Sequence, residues 1–137
     1  MPQNSPITIK DGAATPVNHV FNPKGPIGAN GEHVFRDTLG TVTIDHGQVA
    51  LSFSRRPSNS QSPTEKVVMK VQYPSVVTQI SNGVSTDVVA YQDLCSIEFA
   101  VSKTSSKARR TDLLAYASNL LAHAFTKSMV VDGEGIW

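Results

Sequence analysis

The residues of this chain best placed to do chemistry are hydroxyls and charges repeated at two-residue intervals. Ser52, Ser54 and Arg56 alternate along one stretch, Lys66 and Lys70 sit four apart on the next, and Ser96 and Glu98 follow on a third. Lysine and arginine neutralise phosphates and displace their counterions, while hydroxyls and a carboxylate can hydrogen-bond sugars and base edges. Such a set reads as a surface for a polyanion, although lysines on an exposed strand face equally describe a solvated one. Nothing organises a reaction centre. His19, His33, His46 and His123 are scattered without metal-ligand spacing, and Cys95 is the only cysteine, which excludes an intrachain disulfide and a thiolate cluster. No phosphate-cradling glycine loop or nucleophile elbow occurs. The expectation is a protein that is not an enzyme and has no metal, cofactor or small-molecule substrate.

These side chains need strands to line them up. In residues 48–56, Val49, Leu51 and Phe53 alternate with Ala50, Ser52 and Ser54. In residues 66–73, Val67, Met69, Val71 and Tyr73 alternate with Lys66, Val68, Lys70 and Gln72. A period of two means one buried face and one polar face. A linker over 57–65 makes these two a long-looped hairpin. A further strand is expected over 88–101, with Cys95, Ile97, Phe99 and Val101 on one side and Leu94, Ser96, Glu98 and Ala100 on the other. Residues 74–87, with Asn82-Gly83 near their middle, read as a loop. Nearer the N-terminus, 7–10 and 17–21 flank an Asp11-Gly12 hairpin turn. A turn-rich loop over 22–31 leads to a short strand at 33–36, and 41–44 is either extended or loop.

The period then changes. After the cap candidates Thr104, Ser105 and Ser106, Leu113, Ala117, Leu120, Leu121 and Ala124 fall on one helical stripe. Val130 and Val131 extend into a second short helix. Lys103, Lys107, Arg109 and Arg110 crowd the helix start, where the dipole disfavours cations. Strands first and helices last make an α+β fold. One short helical segment is a thin cover for such a sheet, which favours a second subunit supplying the missing layer.

The 137 residues fit one domain, 1–137, able to bury roughly two-thirds of its unfolded surface without staples. An apolar share of 39% and a charged share of 17% indicate a globular chain. A net charge of +1 excludes a histone-like protein but not a local basic patch. No apolar run approaches the length of a membrane span or signal peptide, so no membrane partner is expected.

Several motifs in this order resemble the levivirus coat proteins, the Q-beta-like group of single-stranded RNA bacteriophages. Asn22-Pro23-Lys24-Gly25 with Asn30-Gly31 is similar to the group's Asn-Pro-Arg-Gly and Asn-Gly. Leu51-Ser52-Phe53-Ser54 with Pro57-Ser58, and the run from Lys66 to Pro74, also have counterparts there. Val77-Thr78-Gln79, Gly83-Val84 and the Ile136-Trp137 ending look more like the family's other well-known branch. The resemblance covers roughly residues 15–125.

It implies an N-terminal β-hairpin, a five-stranded antiparallel sheet and two C-terminal helices. It further implies a homodimer with a continuous ten-stranded sheet covered by swapped helices, closing into a T=3 icosahedral shell. The open sheet face would meet single-stranded viral RNA, in particular a stem-loop whose binding represses translation. The protein would reside in the virion, and in the host cytoplasm before assembly. Ser52, Lys66, Lys70 and Glu98 match the family's RNA-contacting positions. Two departures stand out. Ala50 and Val68 occupy the places of threonines that line an adenine pocket, and Leu94 stands where a tyrosine stacks on a base. A gapped alignment would bring Tyr91 and Asp93 onto the RNA face instead. The 74–87 loop would sit at the shell's symmetry axes, and it carries neither the family's late proline nor Q-beta-type cysteines, so no disulfide-crosslinked shell is expected.

Overall fold

A computed structural model describes residues 5–25, 31–38, 40 and 42–135 of the chain. It divides into two compact units, Met1–Ala100 and Val101–Trp137. The middle of the 22–31 loop, Thr41 and the Ile136-Trp137 ending lie outside the described residues.

The first unit is a six-stranded sheet in the simplest order, each strand beside its sequence neighbour. The strands are β1 (Ile7–Lys10), β2 (Asn18–Pro23), β3 (Glu32–Asp37), β4 (Ala50–Arg56), β5 (Thr64–Ser81) and β6 (Val84–Ser102). The pairings from β1 through β5 are antiparallel. The N-terminal hairpin does not stand apart from a five-stranded sheet; β2 pairs with β3, so hairpin and sheet are one. Alternation is realised as two faces. Phe21, Phe35 and Leu51 are buried on one of them, with Ile7, Val49 and Phe53 packed around. Phe35 and Phe53 meet edge to face, their ring centroids 5.7 Å apart, a favoured aromatic geometry. Residues 45–47 form a 3-10 turn, and 42–44 are not strand. Gly47 is buried there, and a Cβ on it would come within 2.6 Å of Val76, 2.8 Å of Ile44 and 2.9 Å of Val42.

The expected loop over 74–87 is strand instead. β5 runs on through Pro74 to Ser81 and β6 begins at Val84. Asn82 (φ 52°) and Gly83 (φ 79°) alone make the turn, since two consecutive positive φ angles are what a type I′ hairpin requires. Pro74 is tolerated because β4 starts at Ala50, opposite Gln72. Beyond that pair β5 has no β4 partner, and a missing N–H costs no ladder bond on a free edge.

The second unit holds α1 (Lys107–Ala122), α2 (Ala124–Lys127) and a π-helical turn over Ser128–Asp132. Ser106 caps α1, its hydroxyl accepting the Arg109 N–H at 3.3 Å. His123 ends α1 with extended backbone and caps α2, its Nδ1 accepting the Phe125 N–H. Ala124 therefore belongs to the second helix rather than to the stripe of the first. Gly133, at φ 70°, closes the last turn in the left-handed region. The basic cluster gains a partial account. Arg110 donates from Nε to the Ser105 carbonyl at 3.2 Å and from Nη2 to the Ser102 carbonyl at 3.3 Å, tying the end of β6 to the start of α1. No residue of α1 or α2 is buried in the single chain. Leu114, Leu120, Leu121 and Phe125 are each more than half exposed.

Candidate nucleic-acid interface

The β4–β5 register decides which predicted residues meet. Ser52 lies opposite Lys70, Ser54 opposite Val68 and Arg56 opposite Lys66. Opposed residues in an antiparallel pair point to the same side, so five of the predicted residues share one face. The next strand joins them. Lys66 Nζ lies 2.7 Å from Glu98 Oε1 across to β6. Ser54, Arg56, Lys66, Val68, Lys70 and Glu98 line a shallow depression of about 270 Å³ on this side. Glu32, opposite Ser54 on β3, and Arg55 also line it.

Charge on this face is unevenly satisfied. Lys66 shares its charge with Glu98. Arg55, opposite Val67 and so at a position of the other face, donates from Nε to Glu65 Oε1 at 2.5 Å. The Glu65 hydrogen bond, and then its charge, hold the Arg55 guanidinium further toward its protonated form. Among the described residues no ion pair engages Arg56 or Lys70. Arg36, opposite Ala50, belongs to the same face and donates to the Asp45 carbonyl. Asp45 also takes Lys24 Nζ at 2.9 Å, and that bond, with the lysine's charge, holds its carboxyl below the usual value.

Ala50, flanked in register by Arg36 and Gln72, is only 3% exposed. With Val68 it puts alkyl groups, not hydroxyls, in the middle of the face.

The remaining predicted residues lie on β6, and all are exposed. Stepping in twos from Glu98 puts Ser96 and Leu94 on its side, and Tyr91 and Asp93 on the other. Near the turn, however, Thr78 Oγ1 donates to Asp87 at 2.7 Å. That bond and the Lys66–Glu98 pair fall on opposite parities of a single hairpin register, a difference that a β-bulge would reconcile. A bulge between Asp93 and Ser96 would turn Tyr91 and Asp93 toward Glu98.

The opposite face is apolar and partly open. Ile9, Phe21, Val49, Leu51, Val71 and Tyr73 line a cleft of about 380 Å³, and Tyr73 is 61% exposed. Glu32, Arg55 and Arg36 escaped the sequence reading. Glu32 and Arg36 alternate on a strand whose pairing partner was not evident, and Arg55 interrupts the polar alternation of β4.

Comparison with known proteins settles what kind of sheet this is. The family model described as "Levivirus coat protein" matches residues 2–137. The chain belongs to the levivirus coat protein family. It is similar to the solved virus-like particle of bacteriophage NT-214, at 26% identity and a TM-score of 0.85, over 99% of this chain and 100% of that one. The virus-like particle of bacteriophage ESE058 shares the fold at 22% identity and a TM-score of 0.86, over 99% and 100% of the two chains. The bacteriophage GA protein capsid shares it at 19% and 0.78, over 97% of each. No curated protein sequence matches the chain.

As a levivirus coat protein, the chain is a structural protein of the bacteriophage capsid and not an enzyme. It associates with itself into shells and is a component of the virion. The same match sets aside a cellular dimeric module that binds RNA or a ligand without forming shells.

Proposed function

We propose that two copies pair through β6 and lay their helices across each other's apolar sheet face. These homodimers then close into a T=3 icosahedral shell whose polar sheet face turns inward onto single-stranded viral RNA, including stem-loops. The residues in contact are Ser52, Ser54, Arg56, Lys66, Lys70, Ser96 and Glu98, with Leu94, or with Tyr91 and Asp93 if a bulge falls between Asp93 and Ser96. The two units act as one coat-protein domain over 1–137, held in the host cytoplasm until assembly.

The observation that carries this reading is the division of labour between the two faces. Arg56, Lys66 and Lys70 stand together on one, while Val71 and Tyr73 are left exposed on the other. The exposed helical residues fit the same scheme, because covering a leucine or phenylalanine is worth roughly 1.5–3 kcal/mol. β6 is the last strand of the sheet, and a long free edge pairs readily with another strand. Joining two six-stranded sheets gives twelve strands rather than the ten that the resemblance implies.

Packaging needs phosphate contact, which Arg56 and Lys70, in no ion pair among the described residues, can supply. Repression of translation needs base-specific contact, and Ala50 and Val68 offer no hydroxyl for it. The proposal therefore rests on packaging.

Expression of the full chain, purification and electron microscopy, followed by nuclease treatment and RNA extraction, test this reading. Uniform closed particles with protected RNA are expected. Discrete dimers at high concentration, or closed shells without RNA, would contradict it.

A further inference from the structure

β2 outruns its neighbour. Its pairing with β3 stops at Phe21 opposite Asp37, but its pairing with β1 continues to His19 opposite Ile9 and Asn18 opposite Lys10. Beyond Phe21 the hairpin has no described ladder to the rest of the sheet. A side chain spans that gap. His19 Nδ1 lies 2.6 Å from Asp37 Oδ2, and its Nε2 lies 3.4 Å from Asp11 Oδ2. Asp37, at the end of β3, is only 5% exposed, and its N–H is bonded to the Val49 carbonyl. The other oxygen of Asp11 accepts the N–H groups of Ala13 and Val17. The imidazole is thus bracketed by two carboxylates, each fixed by backbone of a different segment.

Ionised carboxylates only accept hydrogen bonds, and a neutral imidazole has a single N–H. It would satisfy one aspartate and turn a lone pair on the other. The imidazolium satisfies both. We propose that His19 is a proton-operated clasp: as an imidazolium it pins the outer end of the β1–β2 hairpin to β3, and on losing its proton it lets that end move. The hairpin end, with Ile9 and Gly12, forms one wall of the apolar cleft, and Val71 and Tyr73 belong to its other side. Opening the clasp therefore loosens the wall of the surface that assembly must cover. The charged and ionisable groups around His19 are Asp37 on β3, Asp11 in the hairpin loop, Lys10 on β1 and Tyr73 on β5.

The direction follows from the hydrogen bonds. Asp37 first, then Asp11, raise the His19 pKa above the ordinary imidazole value of 6.5. The clasp is fully closed below that value and is lost as pH rises through the raised one. The Val17 N–H leads the contacts that lower the Asp11 carboxyl, so the second arm is lost as pH falls below the ordinary carboxylate value.

Amide hydrogen exchange read by mass spectrometry on the full chain, on both sides of the imidazole range and corrected for the intrinsic pH dependence of exchange, tests this. Exchange across the β1–β2 hairpin should speed up several-fold on the alkaline side relative to β4. His19→Gln, which keeps one donor and one acceptor but cannot be protonated, should exchange fast at both pH values. Asp11→Asn, which keeps the Asp37 bond and leaves the cleft intact, should move the wild-type midpoint to lower pH, and it serves if His19→Gln does not fold. A wild-type hairpin whose exchange ignores pH would overturn the proposal. So would a folded His19→Gln chain with the wild-type pH response, or an Asp11→Asn midpoint that stays put or rises.

Discussion

Replacing Lys70 with alanine isolates one cation of the polar face. Lys70 stands opposite Ser52, one pair from the centre of the β4–β5 ladder, half-buried and without an ion-pair partner among the described residues. Its loss leaves no orphaned carboxylate, so the change reads as a missing contact rather than a new repulsion. Each phosphate neutralised contributes about 0.9 to the slope of log affinity against log salt on a B-form duplex and about 0.7 on single strands. Lys70→Ala should therefore flatten the slope by ~0.7–0.9. Raising salt from about 50 to about 200 mM should shrink the gap between wild type and variant by about threefold. The assay is filter binding or fluorescence anisotropy of dimers with a short RNA, repeated across that range. Lys127→Ala, in the helical unit, is the control and should leave the slope alone. A Lys70→Ala slope equal to wild type would refute the assignment of Lys70 to a phosphate, whatever happened to affinity at a single salt concentration.

Other expectations concern the scaffold. Gly47→Ala forces a methyl into space already filled by Val42, Ile44 and Val76, and should cost about 1–3 kcal/mol in chemical denaturation; an unchanged midpoint would contradict that packing. Ser106→Ala removes the α1 cap and should cost ~0.5–2 kcal/mol, with a matching loss of helical signal on heating. Because Cys95 is the only cysteine, non-reducing electrophoresis of particles should show no disulfide-linked pentamers or hexamers, and a ladder of them would be a plain failure.

Residues with a regular period were legible and residues joined across long gaps were not. Alternation from Val49 to Ser54 and from Lys66 to Tyr73 was enough to predict which side chains share a face, and the register pairs them accordingly. Helix after sheet was evident from the change of period, and Ser106 was among the cap candidates. Pro74 misled, because a proline mid-run ordinarily marks a strand's end. Its tolerance depends on where β4 begins, a tertiary fact with no local signature. Asn82-Gly83 carried the signal of a two-residue hairpin turn, but assigning the flanking residues to a loop obscured it. The break at His123 was hidden because one residue serves as the end of one helix and the cap of the next. Arg110 found its carbonyl partners only through the bend after β6. The His19 bracket joins residues 8 and 18 positions away, and no pattern of spacing announces such a cluster.

The account rests on a sheet with an apolar side closed by a second copy and a cationic side closed by nucleic acid. Electron cryo-microscopy of purified particles, at a resolution that distinguishes side chains, tests both together. The expected map shows β6 of two chains side by side, α1 of each over the other's Leu51 face, and RNA density inside the shell against Arg56, Lys66 and Lys70. A map in which each chain's helices cover its own sheet, or in which those three cations face the outside of the shell, would contradict it.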